Sequence, residues 1–309
     1  MKQIMYIALI VFIGSCQTTQ YKANSLNSRT IHSRKMIYKN GDYYIGQFKN
    51  DKRHGQGTYV WKDGTKYVGQ FKNGLMDGKG VKTWPYGSRY SGQFRNNKEQ
   101  GQGTLTLKSG IKYIGHFKNG LPHGRGALTW PDGAKYVGQF KNSLMDGEGI
   151  KTWSNGNKYE GYFQNNQEHG YGTYTWKNGA TYKGYFKRGL FHGKGTRRCP
   201  HGFEYIGQYK NHKRHGRGMY SFDNGDKYKG QYKNDKMHGQ GTYTWKDGTI
   251  YSGQYKNDKP QGFGSHINKN NEKYIGQFHM GLKHGVGTLY NSKGKIIKKG
   301  RWIKGKFKG

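Results

Sequence analysis

The sequence predicts an all-β protein, an elongated, twisted single antiparallel sheet of stacked β-hairpins. Three observations predict it. Tyr-x-Gly-x-(Phe/Tyr) returns every 23 residues in eleven copies, from Tyr44-Ile45-Gly46-Gln47-Phe48 to Tyr274-Ile275-Gly276-Gln277-Phe278. Counting each copy from its Tyr, Gly-x-Gly follows at +11 and +13, from Gly55 and Gly57 to Gly285 and Gly287. Asp-Gly or Asn-Gly then recurs between copies, at Asp63-Gly64, Asp132-Gly133, Asn155-Gly156, Asn178-Gly179, Asn224-Gly225 and Asp247-Gly248. A fixed period of this length marks a repeat architecture. Asx-Gly is a strong hairpin signal because both residues tolerate positive φ.

Composition fits a long, shallow core. Hydrophobic residues make up 31% and mean hydropathy is -1.10, values that suggest disorder when taken alone. Against that, Tyr, Phe and Trp number 27, 14 and 7 and fall at fixed positions, and each buries a large area. Lys and Arg number 54 against 17 Asp and Glu, a formal charge of +37. Such a charge favours anionic partners without fixing a fold.

Taken in order, residues 1–15 read as a signal peptide: a basic start, an apolar run from Ile4 to Ile13, then small residues. The run is half the length of about 20 residues that a membrane-spanning helix needs. Ile13-Gly14-Ser15-Cys16 resembles the bacterial lipobox, and the resemblance implies cleavage before Cys16 and acylation of that residue. Several acyl chains on one residue would anchor the chain stably. Residues 16–37 comprise this cysteine and a polar stretch without periodicity, expected to be a flexible tether.

Residues 38–296 hold the eleven repeats. In Tyr44–Phe48 the period of two places Tyr44, Gly46 and Phe48 on one face. A polar link, Asn50–His54, leads to Gly55-Gln56-Gly57 and a second strand, Thr58–Trp61, with the turn expected at Lys62–Thr65. Position +17 holds Trp61, Trp84, Trp130, Trp153, Trp176 and Trp245, expected as a stacked core stripe, with Leu107, Cys199 and Phe222 in other copies. His54, His123, His169, His192, His215, His238 and His284 precede the Gly-x-Gly and are expected in turns. Strand spacing sets neighbouring copies roughly 10 Å apart, too far for one metal ion. Residues 297–309, with Lys299-Gly300-Arg301-Trp302, are expected to be a degenerate repeat closing the array.

Tyr-x-Gly-x-Phe, a polar link, Gly-x-Gly and a turn Gly at 23-residue spacing resemble MORN repeats (membrane occupation and recognition nexus). The resemblance implies stacked hairpins in a twisted sheet with a shallow groove. Some members carry a lipid-kinase or methyltransferase domain elsewhere, whereas about a dozen residues after these repeats are too few for one. No catalytic constellation is recognisable, so the expectation is a protein that is not an enzyme and takes no cofactor or metal.

The residues expected to carry function form a row at +5: Lys49, Lys72, Arg95, Lys118, Lys141, Lys187, Lys210, Lys233 and Lys256, interrupted by Gln164 and His279. A second basic row precedes the Tyr, at Lys66, Arg89, Lys112, Lys135, Lys158, Lys227 and Lys273. Such rows can attract an anionic membrane surface or an acidic polymer or protein in a salt-dependent way. They can equally serve as solvated charges that keep sheets from pairing edge to edge. The expected function is a lipid-anchored scaffold of a bacterial envelope, at the outer membrane or cell surface. Export argues against nucleic acid as a partner. The alternative is a protein-interaction or self-association module, with homo-oligomers possible. A further alternative is a eukaryotic MORN protein grouped by analogy with phosphoinositide kinases but lacking a kinase domain.

Overall fold

The computed structural model describes residues 31–200 and 202–309. The proposed signal peptide, Cys16 and most of the tether lie outside the described residues. Those described form 25 antiparallel strands and turns, without a helix. They divide into two compact units, one through Gly147 and the other from Glu148.

The first unit begins earlier than the sequence suggests. His32–Ile37 is a strand, paired antiparallel with Tyr43–Lys49 through Lys35 opposite Ile45. The expected tether therefore ends before residue 32, not at 37. The segment HSRKMI has little apolar pattern of its own; the edge of Tyr43–Lys49 supplies its hydrogen-bond partners.

Each repeat in this unit is a hairpin of a seven-residue and a nine-residue strand, as in Tyr43–Lys49 with Lys52–Val60 and Lys66–Lys72 with Leu75–Thr83. The tight turn is not at Asp63-Gly64. It is Asn50-Asp51, where φ is 51° and 54°. Two consecutive left-handed residues make the two-residue turn whose twist matches the strands. Asn73, Asn96, Asn119 and Asn142 open the same turn in later copies. Lys62–Thr65 is a longer connection, closed by Trp61 N–H to Thr65 O at 2.9 Å and Gly64 N–H to Trp61 O at 2.9 Å. The expected polar link, residues 50–54, thus shrinks to two residues, and Lys52, Arg53 and His54 belong to the strand.

That strand carries a bulge. Gly46 faces Gly57 and Phe48 faces Arg53, so Gln47 alone opposes His54, Gly55 and Gln56. Gln47 Oε1 accepts the Gln56 N–H at 2.8 Å, and a Cβ on Gly55 would overlap that oxygen. His54 and His123 accordingly lie in bulges rather than turns, and each keeps a buried Nδ1 without a hydrogen-bond partner.

The core is the face of Tyr44, Gly46 and Phe48. Tyr44 lies flat across Gly46 and Gly57, where any side chain would strike its ring, and its hydroxyl donates to Gln47 O at 2.9 Å. Its ring edge meets Phe48 and Phe71, each at 5.0 Å. Tyr67 repeats this with Phe71 and Phe94, and Tyr90 with Phe94 and Phe117. An unbroken edge-to-face chain of rings results, the arrangement that aromatic quadrupoles favour. The Trp stripe is secondary: Trp61, Trp84 and Trp130 are half-buried at the start of the long connections. In the remaining copy Leu107 leaves an apolar recess lined by Leu105, Ile111, Tyr113, Leu128 and Phe140.

The second unit repeats the module from Lys158–Gln164 onward. Tyr209, Tyr232 and Tyr255 replace Phe at +4, and within this unit a ring chain of the same kind runs through Tyr205, Tyr228 and Tyr251 to Tyr274. Trp153, Trp176 and Trp245 are again half-buried, as is Cys199 in the same place. The last full strand, Ile296–Ile303, puts Trp302 where a twelfth copy would have its Phe. Trp302 is buried against Tyr274, centroids 5.2 Å apart, and donates its indole N–H to Gly287 O at 3.2 Å. The pair Trp302 and Phe307, on the short strand Lys306–Phe307, closes the row.

Candidate anion-binding face

Strand alternation decides where the cations go. With Tyr, Gly and Phe at 0, +2 and +4 facing the rings, positions -1, +1, +3 and +5 face the other way. Lys66–Lys72 shows it plainly: Lys66, Val68, Gln70 and Lys72 are exposed, while Tyr67, Gly69 and Phe71 between them are buried. Lys49, Arg95, Lys118 and Lys141 in the first unit, and Lys187, Lys210, Lys233 and Lys256 in the second, are likewise the exposed last residues of their strands.

The second basic row shares this face. Lys66, Arg89 and Lys112 pair with Thr83, Thr106 and Thr129, six residues from the +5 row and so about 20 Å away along the strand. Between the rows run half-exposed aliphatic side chains, Ile45, Val68, Ile114 and Val137 in the first unit, and the glutamines that plug the bulges. Lys158 is the exception among these cations, held by Glu160 at 2.9 Å.

The tight turns add cations that sequence reasoning missed. Two-residue hairpins place +5 directly opposite +8. Lys49 faces Lys52 and Arg95 faces Lys98 in the first unit; Lys210 faces Lys213, Lys233 faces Lys236 and Lys256 faces Lys259 in the second. Most other copies have Leu there, as in Lys72 opposite Leu75, and one has Gln167 opposite Gln164. The signal was available once the turn was put at the Asn, because +5 and +8 then share a face.

Few acids offset this surface. Among the described residues, ion pairs join Arg34 to Asp51, Lys158 to Glu160, Arg198 to Glu204 and Arg214 to Asp235, and of these cations only Lys158 belongs to either row. Asp42 and Asp226 are buried on the ring side. Each accepts a hydrogen bond from a phenol, Tyr59 and Tyr243 respectively, at 2.7 Å, and from the backbone N–H of Lys62 or Lys246 at 2.9 Å. Burial pushes the Asp42 carboxyl up, but the bonds from Tyr59, Lys62 and Asn40 and the charge of Arg53 outweigh it and hold the pKa below the usual value. The bond from Tyr243 is the largest influence on Asp226 and lowers it likewise.

A separate set of cations is committed to the ring face. Arg53 lies 4.6 Å from the Tyr59 centroid, and Lys82 lies 5.0 Å from Trp84. In the second unit Arg197 stands over Trp176, Arg214 over Tyr220 and Lys283 over Tyr274, at 5.1, 5.0 and 5.0 Å. These cover aromatic surface. Within each unit the charge is therefore sorted, with the +5 cations on one face and ring-bound cations and a buried acid on the other. Among the described residues no group of three His, Cys, Asp or Glu could hold a metal ion.

The MORN repeat model matches the chain at residues 44–66, 67–89, 90–112, 113–135, 136–158, 159–181, 182–202, 205–227, 228–250, 251–271 and 274–295. No curated protein sequence matches the chain significantly. Among solved structures, the chain is similar to the SAS-4 (dCPAP) TCP domain of Drosophila melanogaster, solved with a proline-rich motif of Ana2: identity is 12%, coverage 57% of this chain and 90% of that one, and the TM-score 0.32. The TCP10 domain of Danio rerio CPAP matches at 12% identity over 87% and 100% of the two chains, with a TM-score of 0.22. Virginiamycin B lyase from Staphylococcus aureus matches at 10% identity over 89% and 90%, with a TM-score of 0.14. At such scores these likenesses carry no argument about function.

Proposed function

The chain belongs to the MORN-repeat family, and on that premise we propose that it is a non-catalytic scaffold of a bacterial envelope, anchored through acylated Cys16 and binding anionic partners through its basic face. The observation that carries this reading is the sorting of charge. Within each unit the cations of the +5 row, five in the first and four in the second, stand exposed on the face away from the rings, and none makes an ion pair among the described residues. An array of fixed positive charge without internal counter-ions attracts anionic lipid, acidic polysaccharide or acidic protein, and binding weakens as salt screens it.

The test is binding of the purified chain to anionic and neutral vesicles and to soluble polyanions at rising salt. Reversal of Lys49, Lys72, Lys118 and Lys141 to Glu should weaken anionic binding at least about tenfold, a change of about 1.4 kcal/mol. Equal affinity for neutral and anionic surfaces at low salt would remove the proposal. Mass spectrometry of the mature N-terminus tests the anchor, since an unmodified Cys16 excludes it.

A second reading, self-association, draws on the half-exposed aliphatic strip of Ile45, Val68, Ile114 and Val137. A concentration-independent monomer mass in sedimentation would exclude it.

A further inference from the structure

The second unit carries something more particular than positive charge. Lys210 and Lys213, Lys233 and Lys236, and Lys256 and Lys259 are cross-strand pairs in three consecutive hairpins. Like charges directly opposite each other destabilise a sheet. None of the six makes an ion pair among the described residues. The nearest turn acids point elsewhere: Asp235 Oδ1 accepts the Arg214 N–H at 2.8 Å, and Asp258 Oδ1 the Met237 N–H at 2.7 Å. Three cation pairs thus recur along the sheet at a spacing of two strands, roughly 10 Å.

At the head of this row the same face changes character. The two preceding hairpins have Tyr162 and Tyr185 at +3, where most copies have Gln, and Tyr171 opposite Tyr185. The three rings are 42%, 51% and 52% exposed for Tyr162, Tyr185 and Tyr171, whereas every core Tyr at position 0 in this unit is at most 1% exposed. Tyr171 and Tyr185 meet edge to face at 5.4 Å. They do not build the core, and as large flat rings with a phenol at the tip they suit a ligand that is apolar on one side and hydroxylated at its rim.

We propose that this face of the second unit is a subsite for an acidic polysaccharide, with pyranose rings stacking on Tyr171 and Tyr185 and anionic groups spaced along the three lysine pairs. The inference rests on the basic-face reading and names its partner. Two linked pyranose rings advance by about the interval between successive lysine pairs, so one carboxylate, sulfate or phosphate per disaccharide stays in register. A nucleic-acid strand is charged far more densely, at about 3.4 Å per phosphate, and a lipid surface offers nothing for the exposed rings to stack on.

The experiment compares three probes with the full chain: a length series of hyaluronan oligosaccharides, which carry one carboxylate per disaccharide, single-stranded DNA, and phosphatidylglycerol vesicles. The variants are Tyr171→Ala with Tyr185→Ala, and Lys213→Glu with Lys236→Glu and Lys259→Glu, each checked for unchanged strand content by circular dichroism. The tyrosine pair should cost about tenfold in hyaluronan affinity and leave DNA and vesicle binding unchanged, while the lysine reversal weakens all three. Affinity should rise with oligosaccharide length until the three pairs are spanned and then level off. If the tyrosine variant binds hyaluronan like the parent, or loses all probes equally, the polysaccharide subsite is overturned although the basic face stands. If the lysine reversal changes nothing, the inference fails together with the basic-face reading for this unit.

Discussion

At the scale of single residues, fold and candidate site depend on the parity of side chains. Gly69 sits where a Cβ would strike the Gly80 backbone and the Tyr67 hydroxyl at 2.5 Å each. Gly69→Ala should therefore cost about 1–3 kcal/mol through overpacking, measured by urea denaturation, while Val68→Ala on the opposite, exposed face should cost well under about 1 kcal/mol. A similar cost for both would refute the assignment of faces. The core phenols give a pH signature. Burial raises the Tyr44 and Tyr251 pKa values to about 12 each, above the usual value of about 10. A folded pKa above the unfolded one gives stability that is complete below about pH 10 and is lost as pH rises through the folded value. Phenolate absorbance should thus climb in a cooperative step above about pH 10, together with loss of the β circular dichroism signal. Gradual titration that leaves the fold intact would show the rings to be accessible.

At the scale of the hairpin, the period of two and the Asx residues made strands and turns legible, but they did not locate the tight turn. Lys52, Arg53 and His54 look like a loop because they are polar. They are strand because Arg53 reaches its guanidinium over Tyr59 and donates to Gly74 O at 2.7 Å, and the second of these contacts is made only after the next hairpin docks. The +5 cations were visible for the opposite reason: their place follows from the Tyr five residues earlier, an odd step that puts them on the other face. Their +8 partners were hidden until the turn was fixed, since a shift of one residue exchanges the faces. His32–Ile37 was missed because its pairing, not its own pattern, makes it a strand. The bulge offers a direct test. Gln70 Oε1 accepts the Lys79 N–H at 2.7 Å, so Gln70→Ala should destabilise by about 1 kcal/mol. Amide exchange at Lys79 should accelerate, while that at Gly80, beyond the bulge, changes less. Equal protection in both proteins would mean that the glutamine is only a surface residue.

At the scale of the whole molecule, the charge that equips the chain for anionic partners also acts against its folding. A formal charge of +37 brings lysines into opposed pairs such as Lys49 with Lys52 and Lys233 with Lys236. Self-repulsion of this kind destabilises a folded state, and salt relieves it within a Debye length of about 10 Å at 0.1 M. The ring chain must outweigh it, and it does so through neighbour-to-neighbour contacts, so that each hairpin supports only those beside it. Thermal stability should therefore rise by several degrees between low and moderate sodium chloride, where a protein of balanced charge would barely respond. The choice of anion separates two causes. Screening alone predicts one curve for all salts at equal ionic strength. Anions held between paired lysines predict a further rise with a multivalent species such as tripolyphosphate at concentrations too low to screen, because a ligand bound only by the folded state stabilises it in proportion to RT ln(1 + [L]/Kd). Coincident curves for chloride and tripolyphosphate would leave the lysine pairs as solvated charges and withdraw the structural basis for an anion site there.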